Sequence, residues 1–313
     1  MLLPDLSANS LSAAAPTFVK KNPQDPTDGT GLPQVDTRNP EAVWRFVAAS
    51  FRRMYPRRPT KRLRRVFNLV MDLFAGRHPD YAAIDLKYHD REHTLQATVC
   101  LVSLLEGRHF AKVQPSIDPG RLELAITAVL LHDSGFLRLR HDSVGSGAKY
   151  TFCHVLRSCA LASSELPVLG FDRDELEAVM HAINCTGPVA DVPRIPFRAP
   201  ADRIVGCAVT TADFLAQMAA PDYPDELGLL YEEFRECDDF TRVPAKDRAY
   251  RSARHLARET PAFWNKVVRR KLESDFLAVY RFLARPYPGG PNPYVAAVER
   301  NIAEIARRNA AGA

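Results

Sequence analysis

The sequence predicts an all-α fold, built as a bundle of many helices. From Glu41 onward, apolar residues recur every three to four positions, which is the period of a helix with one buried face. The chain shows no sustained period-two alternation and no internal repeat. With 313 residues it is long enough to bury a substantial core. We therefore expect a single all-helical domain over residues 41–313.

The chain before this domain has a different composition. Residues 1–40 are rich in Pro, Ser, Asp, Asn and Gly and lack a sustained apolar period. Such a segment does not supply enough apolar side chains for a packed core of its own. We expect a flexible or irregular N-terminal extension that is either disordered or lies over the domain.

Capping signals and apolar spacing locate individual helices. Asp172 followed by Glu175 has the spacing of a capping box. Thr260 and Pro261 resemble an N-cap and the first turn of a long helix that reaches about Phe282. Three further helices are predicted by apolar spacing at Leu63, Val66, Phe67, Val70 and Phe74, at Leu95, Val99, Val102 and Leu105, and at Leu122, Ala125, Ile126, Val129 and Leu130.

Composition narrows the class of protein. The 42 Lys and Arg against 37 Asp and Glu leave a formal charge of +5, which is too mild to indicate a general nucleic-acid binder. The six cysteines form no C-x-x-C pair, so neither a zinc ribbon nor a disulfide framework is indicated. No run of about 18 apolar residues is present. We expect a soluble, cytoplasmic protein without a membrane partner.

Basic residues are concentrated in the segment 52–65. Such a run is most often the solvated face of a helix with its preceding loop. Binding to an anionic surface is the alternative, although the segment lacks the interleaving of aromatic and basic residues that is typical of single-strand-binding sites.

Two short motifs carry histidines in positions suited to chemistry. His89 and His93 are four residues apart at the start of a predicted helix, which directs both imidazoles to one side. The pair His132-Asp133 ends an apolar helix that Gly135 would terminate. A polar pair at the end of an apolar helix is expected to point inward.

A third motif is a single carboxylate in an apolar helix. Asp213 is the only charged residue between Ile204 and Pro221. A helix that is apolar on nearly all sides belongs in a core, where a carboxylate is costly unless a cation or strong donors meet it. A metal ion or an arginine would satisfy Asp213.

Imidazole nitrogens and carboxylate oxygens without thiolates suit divalent ions such as Mg, Mn, Fe or Zn. We expect two such ions. The first site would be formed by His93, His132, Asp133 and Asp213. In the second, His154 and His181 would join Asp133 as a bridging ligand. Either histidine taken singly has an alternative role as a hydrogen-bonded core residue.

The order of these residues resembles a known family. His93, His132-Asp133 and Asp213 are similar to the H…HD…D signature of the HD-domain superfamily of metal-dependent phosphohydrolases. Tyr88-His89-x-x-x-His93 resembles the Tyr-His-Asn-x-x-His motif of its cyclic-nucleotide phosphodiesterase branch, with Asp90 in place of the asparagine. The resemblance covers about residues 85–235. It implies an HD/PDEase-like helical bundle on whose core the C-terminal helices, residues 246–310, pack.

The resemblance also implies roles for the residues. His93 would bind metal, Asp133 would bridge two ions that activate water for attack on phosphorus, and His89 would be the general acid on the leaving oxygen. The substrate would be a small phosphorylated molecule, a nucleotide or cyclic nucleotide. Two departures concern this substrate: Ser134-Gly135-Phe136 follows the HD pair where cyclic-nucleotide enzymes carry another histidine, and Val155 stands where glutamate is common in bacterial HD proteins.

Three residues are candidates for substrate binding. Arg138 and Lys149 flank a glycine-containing loop that would close over a phosphate or serve as an ordinary connection. Gln217 is the third candidate.

Two other functions remain open. One is an HD-type di-iron oxygenase with the same ligands, and the other is a regulatory module that senses a nucleotide without hydrolysing it. A homo-oligomer is compatible with each.

Overall fold

The computed structural model describes residues 31–187 and 190–311, and within them the all-α prediction is confirmed. An isolated antiparallel bridge pairs Tyr81 with Leu139. The α-helices are α1 (Pro40–Met54), α2 (Lys61–Phe74), α3 (Arg91–Phe110), α4 (Pro119–Leu131), α5 (His154–Glu165), α6 (Arg173–Asn184), α7 (Pro200–Ala219), α8 (Tyr223–Phe240), α9 (Ala253–Phe263), α10 (Arg269–Glu273) and α11 (Pro293–Ala311).

The centre of the fold is the pair of long helices α3 and α7, which pack along each other. Helices α1 and α4 cover α3, while α4, α6 and α11 cover α7. Both central helices bury residues on nearly all sides, which explains why neither shows a strongly polar face. Apolar side chains from Val43 in α1 to Ile305 in α11 belong to one contiguous core. The C-terminal helices are therefore part of the same packed body as the central pair.

The predicted apolar faces are confirmed. Every residue named above for the helices now seen as α2, α3 and α4 is buried. The capping box of α6 is also present, since the Glu175 N–H donates to Asp172 Oδ1 at 2.9 Å and the Asp172 N–H donates to Glu175 Oε2 at 3.1 Å. Local signals thus placed these helices correctly.

The prediction for the helix after Thr260 was wrong. Helix α9 begins earlier, at Ala253, after the N-cap Ser252, whose hydroxyl oxygen accepts from the His255 N–H at 3.0 Å. Thr260 donates its hydroxyl to the Leu256 carbonyl inside α9, and Pro261 lies in its last turn. Because proline has no N–H to donate, the regular bonding pattern cannot continue, and a π-helical turn (Trp264–Val268) follows. The helix does not reach Phe282, since α10 already ends at Glu273.

The predicted extension is partly described. Residues 1–30 lie outside the described residues, whereas residues 31–39 run irregularly up to Asn39, the N-cap of α1. Thr37 and Arg38 in this stretch each donate a hydrogen bond to Glu92 at 3.0 Å. The residues just before α1 are therefore attached to the first turn of α3.

Three arginines of the basic segment are engaged within the protein. Arg53 pairs with Glu106, Arg64 pairs with Glu41, and Arg62 contacts two carboxylates on α4 and α6. These ion pairs connect helices, which is a structural role beyond a solvated face.

Among the helices of the described ranges, none is by itself both long and apolar enough to cross a membrane.

Arg62 links three helices and provides a test of the packing. Its guanidinium lies 2.9 Å from Glu123 and 2.7 Å from Glu175, over the ring of Phe171. We expect Arg62→Ala to lower the free energy of unfolding by about 1–3 kcal/mol, because two partly buried carboxylates lose their partner. The exposed Arg65→Ala serves as control and should change it by less than about 0.5 kcal/mol. Equal effects of the two substitutions in urea unfolding would contradict this role.

Candidate metal centre

The His132-Asp133 pair is held in place by helix α5. The Ser158 hydroxyl donates to the His132 carbonyl at 2.6 Å and accepts from the Gly135 N–H at 2.8 Å. Arg157 donates to the carbonyls of Gly135 and Leu137 at 2.6 and 2.7 Å. These contacts satisfy the backbone groups of the tight turn that follows α4. The turn, and with it the direction of both side chains, is therefore set by α5.

Gly135 allows this close approach. A Cβ atom at position 135 would lie 1.9 Å from the His154 carbonyl oxygen, which no side chain tolerates. The prediction that Gly135 terminates the preceding helix was wrong, because α4 already ends at Leu131 and Gly135 lies within a 3-10 turn (Ser134–Phe136). Its lack of a side chain instead lets this turn rest directly on the first residue of α5.

The other two ligands come from the central helix pair. His93 lies in the first turn of α3, where its N–H donates at 2.9 Å to Oδ1 of the N-cap residue Asp90. Asp213 lies in the second half of α7. Because α3 and α7 pack along each other, residues that are 120 positions apart in the chain come together.

The structure brings together the four residues predicted for the first site. His93 Nε2 lies 3.3 Å from Asp133 Oδ2 and 3.3 Å from Asp213 Oδ1. His132 Nε2 lies 3.3 Å from Asp133 Oδ2 and 3.4 Å from Asp213 Oδ1. The side chains of all four are nearly inaccessible to solvent. Ligand atoms of His93, His132 and Asp133 all lie within 4.8 Å of one another.

These atoms fit a metal ion better than they fit each other. His93 Nε2, His132 Nε2 and Asp133 Oδ2 are buried without a hydrogen-bond partner, although buried polar atoms are normally satisfied. Their separations exceed the roughly 2.7–2.9 Å of charge-assisted hydrogen bonds. Bonds of about 2.0–2.2 Å to a shared ion would place neighbouring ligand atoms about 3–3.5 Å apart, as observed.

The His132 ring is already set for this role. Its Nδ1 lies 2.7 Å from the Val129 carbonyl oxygen, which can only accept. The ring proton is therefore on Nδ1, and the lone pair of Nε2 points into the cluster.

The four groups of the cluster strongly influence one another's pKa values. Burial is the largest influence on all four groups and opposes their charged forms. For His93 the nearby Asp133 and Asp213 outweigh burial and raise the pKa to about 10, and they raise the pKa of His132 as well. The imidazoles in turn hold the pKa of Asp133 well below its usual value and lower the pKa of Asp213 to about 2. Both carboxylates are therefore ionised and in need of positive charge.

His154 is placed beside the second oxygen of Asp133. Its Nε2 lies 3.7 Å from Asp133 Oδ1, and its Nδ1 lies 2.7 Å from the Thr151 carbonyl oxygen. Burial, the largest influence, lowers the pKa of His154 and favours the neutral ring that metals bind. A second ion between His154 and Asp133 would have these two residues as ligands.

His181 lies apart from this group. Its half-buried ring, on α6, packs edge-on against Phe197 with 5.9 Å between centroids. No contact among the described residues connects it to Asp133, so its role as a ligand stays a prediction without a supporting contact. The helix period placed His181 on α6 but could not determine which neighbour it faces.

His89 is oriented by a residue that the sequence analysis missed. Its Nδ1 lies 2.6 Å from Oε2 of the buried Glu233 in α8. The other oxygen of Glu233 accepts from the N–H groups of Lys87 and Tyr88 at 3.2 and 2.8 Å. The sequence contains a signal that would have identified Glu233. It shares a helix face with Leu230 and Cys237, where an apolar residue would be expected.

Phe136 connects the two outer histidines. Its ring stacks on His154 at 4.4 Å and on His89 at 4.9 Å between centroids. His89 also meets His93 edge-on at 5.7 Å. Both histidines are therefore held at one rim of the cluster.

Two of the substrate-binding candidates are engaged within their loop. The buried Lys149 ammonium donates to Asp142 Oδ1 at 2.5 Å and to the Val144 carbonyl. Arg138 donates to Asp85 at 2.8 Å and to the Asp142 carbonyl at 2.5 Å. These contacts support the alternative of a structural connection, because both cations already have anionic partners.

Gln217 adjoins the metal ligands. Its Oε1 accepts from the Tyr88 hydroxyl at 2.7 Å, and its Nε2 donates to the Asp213 carbonyl at 3.3 Å. Tyr88, Gln217 and His93 line a cleft together with four carboxylates, those of Asp90, Glu92, Asp222 and Glu226. Burial, followed by the charges of Asp222 and Asp90, raises the pKa of Glu226 to about 7. This acidic cleft was not predicted from the sequence.

No protein-family model matches the chain, and a comparison with curated proteins finds no match either. The functional interpretation therefore rests on the residues and their geometry.

Gly135 offers a test of how the turn is held. Gly135→Ala should lower the free energy of unfolding by about 3 kcal/mol or more, since the added methyl group collides with backbone. Gly228→Ala is the matched control: it lies exposed in α8 with open space around it, so the same change should stabilise by up to about 1 kcal/mol. Chemical denaturation of both variants checks this, and a neutral Gly135→Ala would refute the close approach.

Metal binding should depend steeply on pH. A ligand histidine must lose its proton before it binds, and the pKa of His93 is about 10. Apparent zinc affinity should therefore rise about tenfold per pH unit between about pH 7 and 9, because raising the pH removes the competing proton. Competition with a chromophoric chelator measures it. The exposed His141→Ala should keep the same slope, and a flat profile for the unmodified protein would contradict the cluster.

Proposed function

We propose that this chain is a metal-dependent phosphohydrolase of the HD type that cleaves a phosphoester in a small nucleotide. The observation that carries the proposal is the convergence of His93, His132, Asp133 and Asp213, with three buried atoms that have no other partner. The order of these residues in the chain resembles the HD signature, which supports the same conclusion. Their chemistry suits one divalent ion, with His154 beside a second position.

A bound divalent ion would supply Lewis acidity, both to lower the pKa of a water molecule and to neutralise charge on the phosphoryl oxygens. The protein's own part is to hold the ligand atoms rigidly. His132 is oriented by the Val129 carbonyl. Its neighbour Asp133 directs Oδ2 toward His93 and Oδ1 toward His154. Such preorganisation avoids reorganisation of charged groups during the reaction.

His89 is suited to move a proton at the rim of the cluster. Glu233 accepts from Nδ1, which leaves Nε2 as the atom that faces away from the carboxylate. A protonated His89 would donate from Nε2 to the leaving oxygen as the bond to phosphorus breaks. Phe136 and His93 fix the tilt of the ring, so the donor atom is already oriented before the reaction.

The acidic cleft supports a choice of substrate. Carboxylates of Asp90, Glu92, Asp222 and Glu226 line the space next to His93. Additional phosphate groups placed there would be repelled. A nucleotide with a single phosphoryl group, such as a cyclic nucleotide or a phosphodiester, therefore fits better than a di- or triphosphate.

Kinetics of defined variants test the proposal. We expect His89→Ala to lower kcat by about 10²–10⁴ while metal content is unchanged, because only the proton donor is lost. Asp133→Ala should lose both metal and turnover, since it removes a ligand. Glu233→Gln should lower kcat less than His89→Ala, and the exposed His141→Ala is the control expected to retain full activity. Elemental analysis and hydrolysis of bis(p-nitrophenyl) phosphate with Mn²⁺ provide the two measurements.

Full phosphodiesterase rates in both His89→Ala and Asp133→Ala would overturn the assignment. The assay is run without oxygen. Turnover that is retained under this condition argues against the di-iron oxygenase, which requires oxygen, whereas loss of turnover would favour it. Cyclic mononucleotides should be cleaved at least tenfold faster than nucleoside triphosphates. Tight nucleotide binding without hydrolysis would favour the regulatory module.

A further inference from the structure

A second cavity lies at the opposite end of α3 from the metal centre. It has a volume of about 490 Å³, which is within the range of small-molecule sites. Its walls come from the end of α1, the end of α3, the loop 111–118 and the start of α4. Arg108, which lines it, follows His93 by 15 positions on α3, so the two sites are about 22 Å apart.

The wall of this cavity is mainly apolar. Met54, Leu105, Val113, Ile117 and Leu122 contribute aliphatic surface to it. Phe110 lies at its edge with 43% of its surface exposed. The body of a ligand here would therefore be apolar.

Arg108 introduces a buried positive charge into the apolar wall. Only 3% of the residue is exposed. In the described ranges its guanidinium makes one hydrogen bond, from Nη2 to the Pro115 carbonyl at 2.6 Å, and no ion pair. A guanidinium has five N–H donors, and burying it without a counter-ion is costly. Burial accordingly lowers the pKa of Arg108.

Neighbouring carboxylates are occupied by other arginines. Glu106, two positions before Arg108 on α3, pairs with Arg53 at 2.6 Å. Asp118, at the N-cap of α4, pairs with Arg121 at 2.5 Å. His109 also lines the cavity, and burial lowers its pKa, so it adds no charge near neutral pH. The exposed Lys112 is the second cation of the lining. The cavity therefore has an uncompensated positive charge.

We propose that this cavity binds a small amphiphilic carboxylate, with its apolar body along Leu105 and Ile117 and its carboxylate paired with Arg108. The planar guanidinium matches a carboxylate in a two-bond geometry. One buried cation balances a monoanion, whereas a phosphate monoester would bring a further charge into apolar surroundings. The site uses no residue of the metal centre, so it stands independently of the proposed hydrolase activity.

Calorimetric titration of the full chain tests the proposal with decanoate as the probe. Decanol has the same apolar body without charge, and decyl phosphate carries a different anionic head. We expect decanoate to bind at least tenfold more tightly than either compound. Equal binding of decanoate and decanol would overturn the role of Arg108, and tighter binding of decyl phosphate would overturn the choice of a carboxylate.

Substitutions test whether Arg108 provides the positive charge that pairs with the carboxylate of decanoate. Arg108→Met keeps an apolar chain of similar length and should abolish the preference for decanoate over decanol. Arg258→Met is the matched control, because that arginine is 69% exposed on α9, and the preference should be unchanged. An unaltered preference in Arg108→Met would refute the proposal.

The unmodified protein supplies a test that does not depend on the folding of a variant. With methyl-labelled methionine, decanoate should shift the NMR signal of Met54, which lines the cavity, and leave that of Met180 on α6 in place. An unmoved Met54 signal at saturating decanoate would place the binding elsewhere and overturn the site.

Discussion

Two imidazoles and two carboxylates share one buried position, and the arrangement of the central helices depends on it. Isolated charges in a core are costly, so Asp133 and Asp213 can be retained there only with positive charge close by. His93, whose pKa is raised to about 10, supplies it from α3, and His132 joins from the end of α4. Both Nε2 atoms lie within 3.4 Å of the carboxylate oxygens. The meeting of α3, α4 and α7 is therefore an electrostatic requirement as well as a hydrophobic one.

The surrounding helices hold this group through backbone contacts. Helix α5 supports the turn after His132 through Ser158 and Arg157, and the absence of a side chain at Gly135 permits the contact. Helix α8 supplies Glu233, which binds two backbone N–H groups as well as His89. Residues outside the cluster thus determine where the side chains of His132, Asp133 and His89 point, as expected when a site requires fixed orientation.

The protein distributes its charges unevenly despite a mild net charge. Carboxylates gather in the cleft beside the candidate metal centre, while Arg108, which has no carboxylate partner among the described residues, lies in an apolar cavity at the far end of α3. A formal charge of +5 for the whole chain conveys neither feature. Ligand preference is consequently set by local desolvation and pairing rather than by net charge.

By itself the sequence determined the all-α class, the apolar faces of α2, α3 and α4, the capping box of α6 and the four residues of the main cluster. These follow from short-range periodicity, local capping and the cost of a lone carboxylate in an apolar helix, all of which are readable along the chain. Tertiary structure alone decided that Glu233 orients His89, that His154 lies beside Asp133 while His181 faces Phe197, and that Lys149 and Arg138 are held inside their loop. It also decided that a π-helical turn follows α9 shortly after Pro261. Ser252, rather than Thr260, is the N-cap of this helix. The physical reason is common to all of these: helical period specifies which side of a helix a residue occupies, whereas its partner depends on which other helices pack against that side.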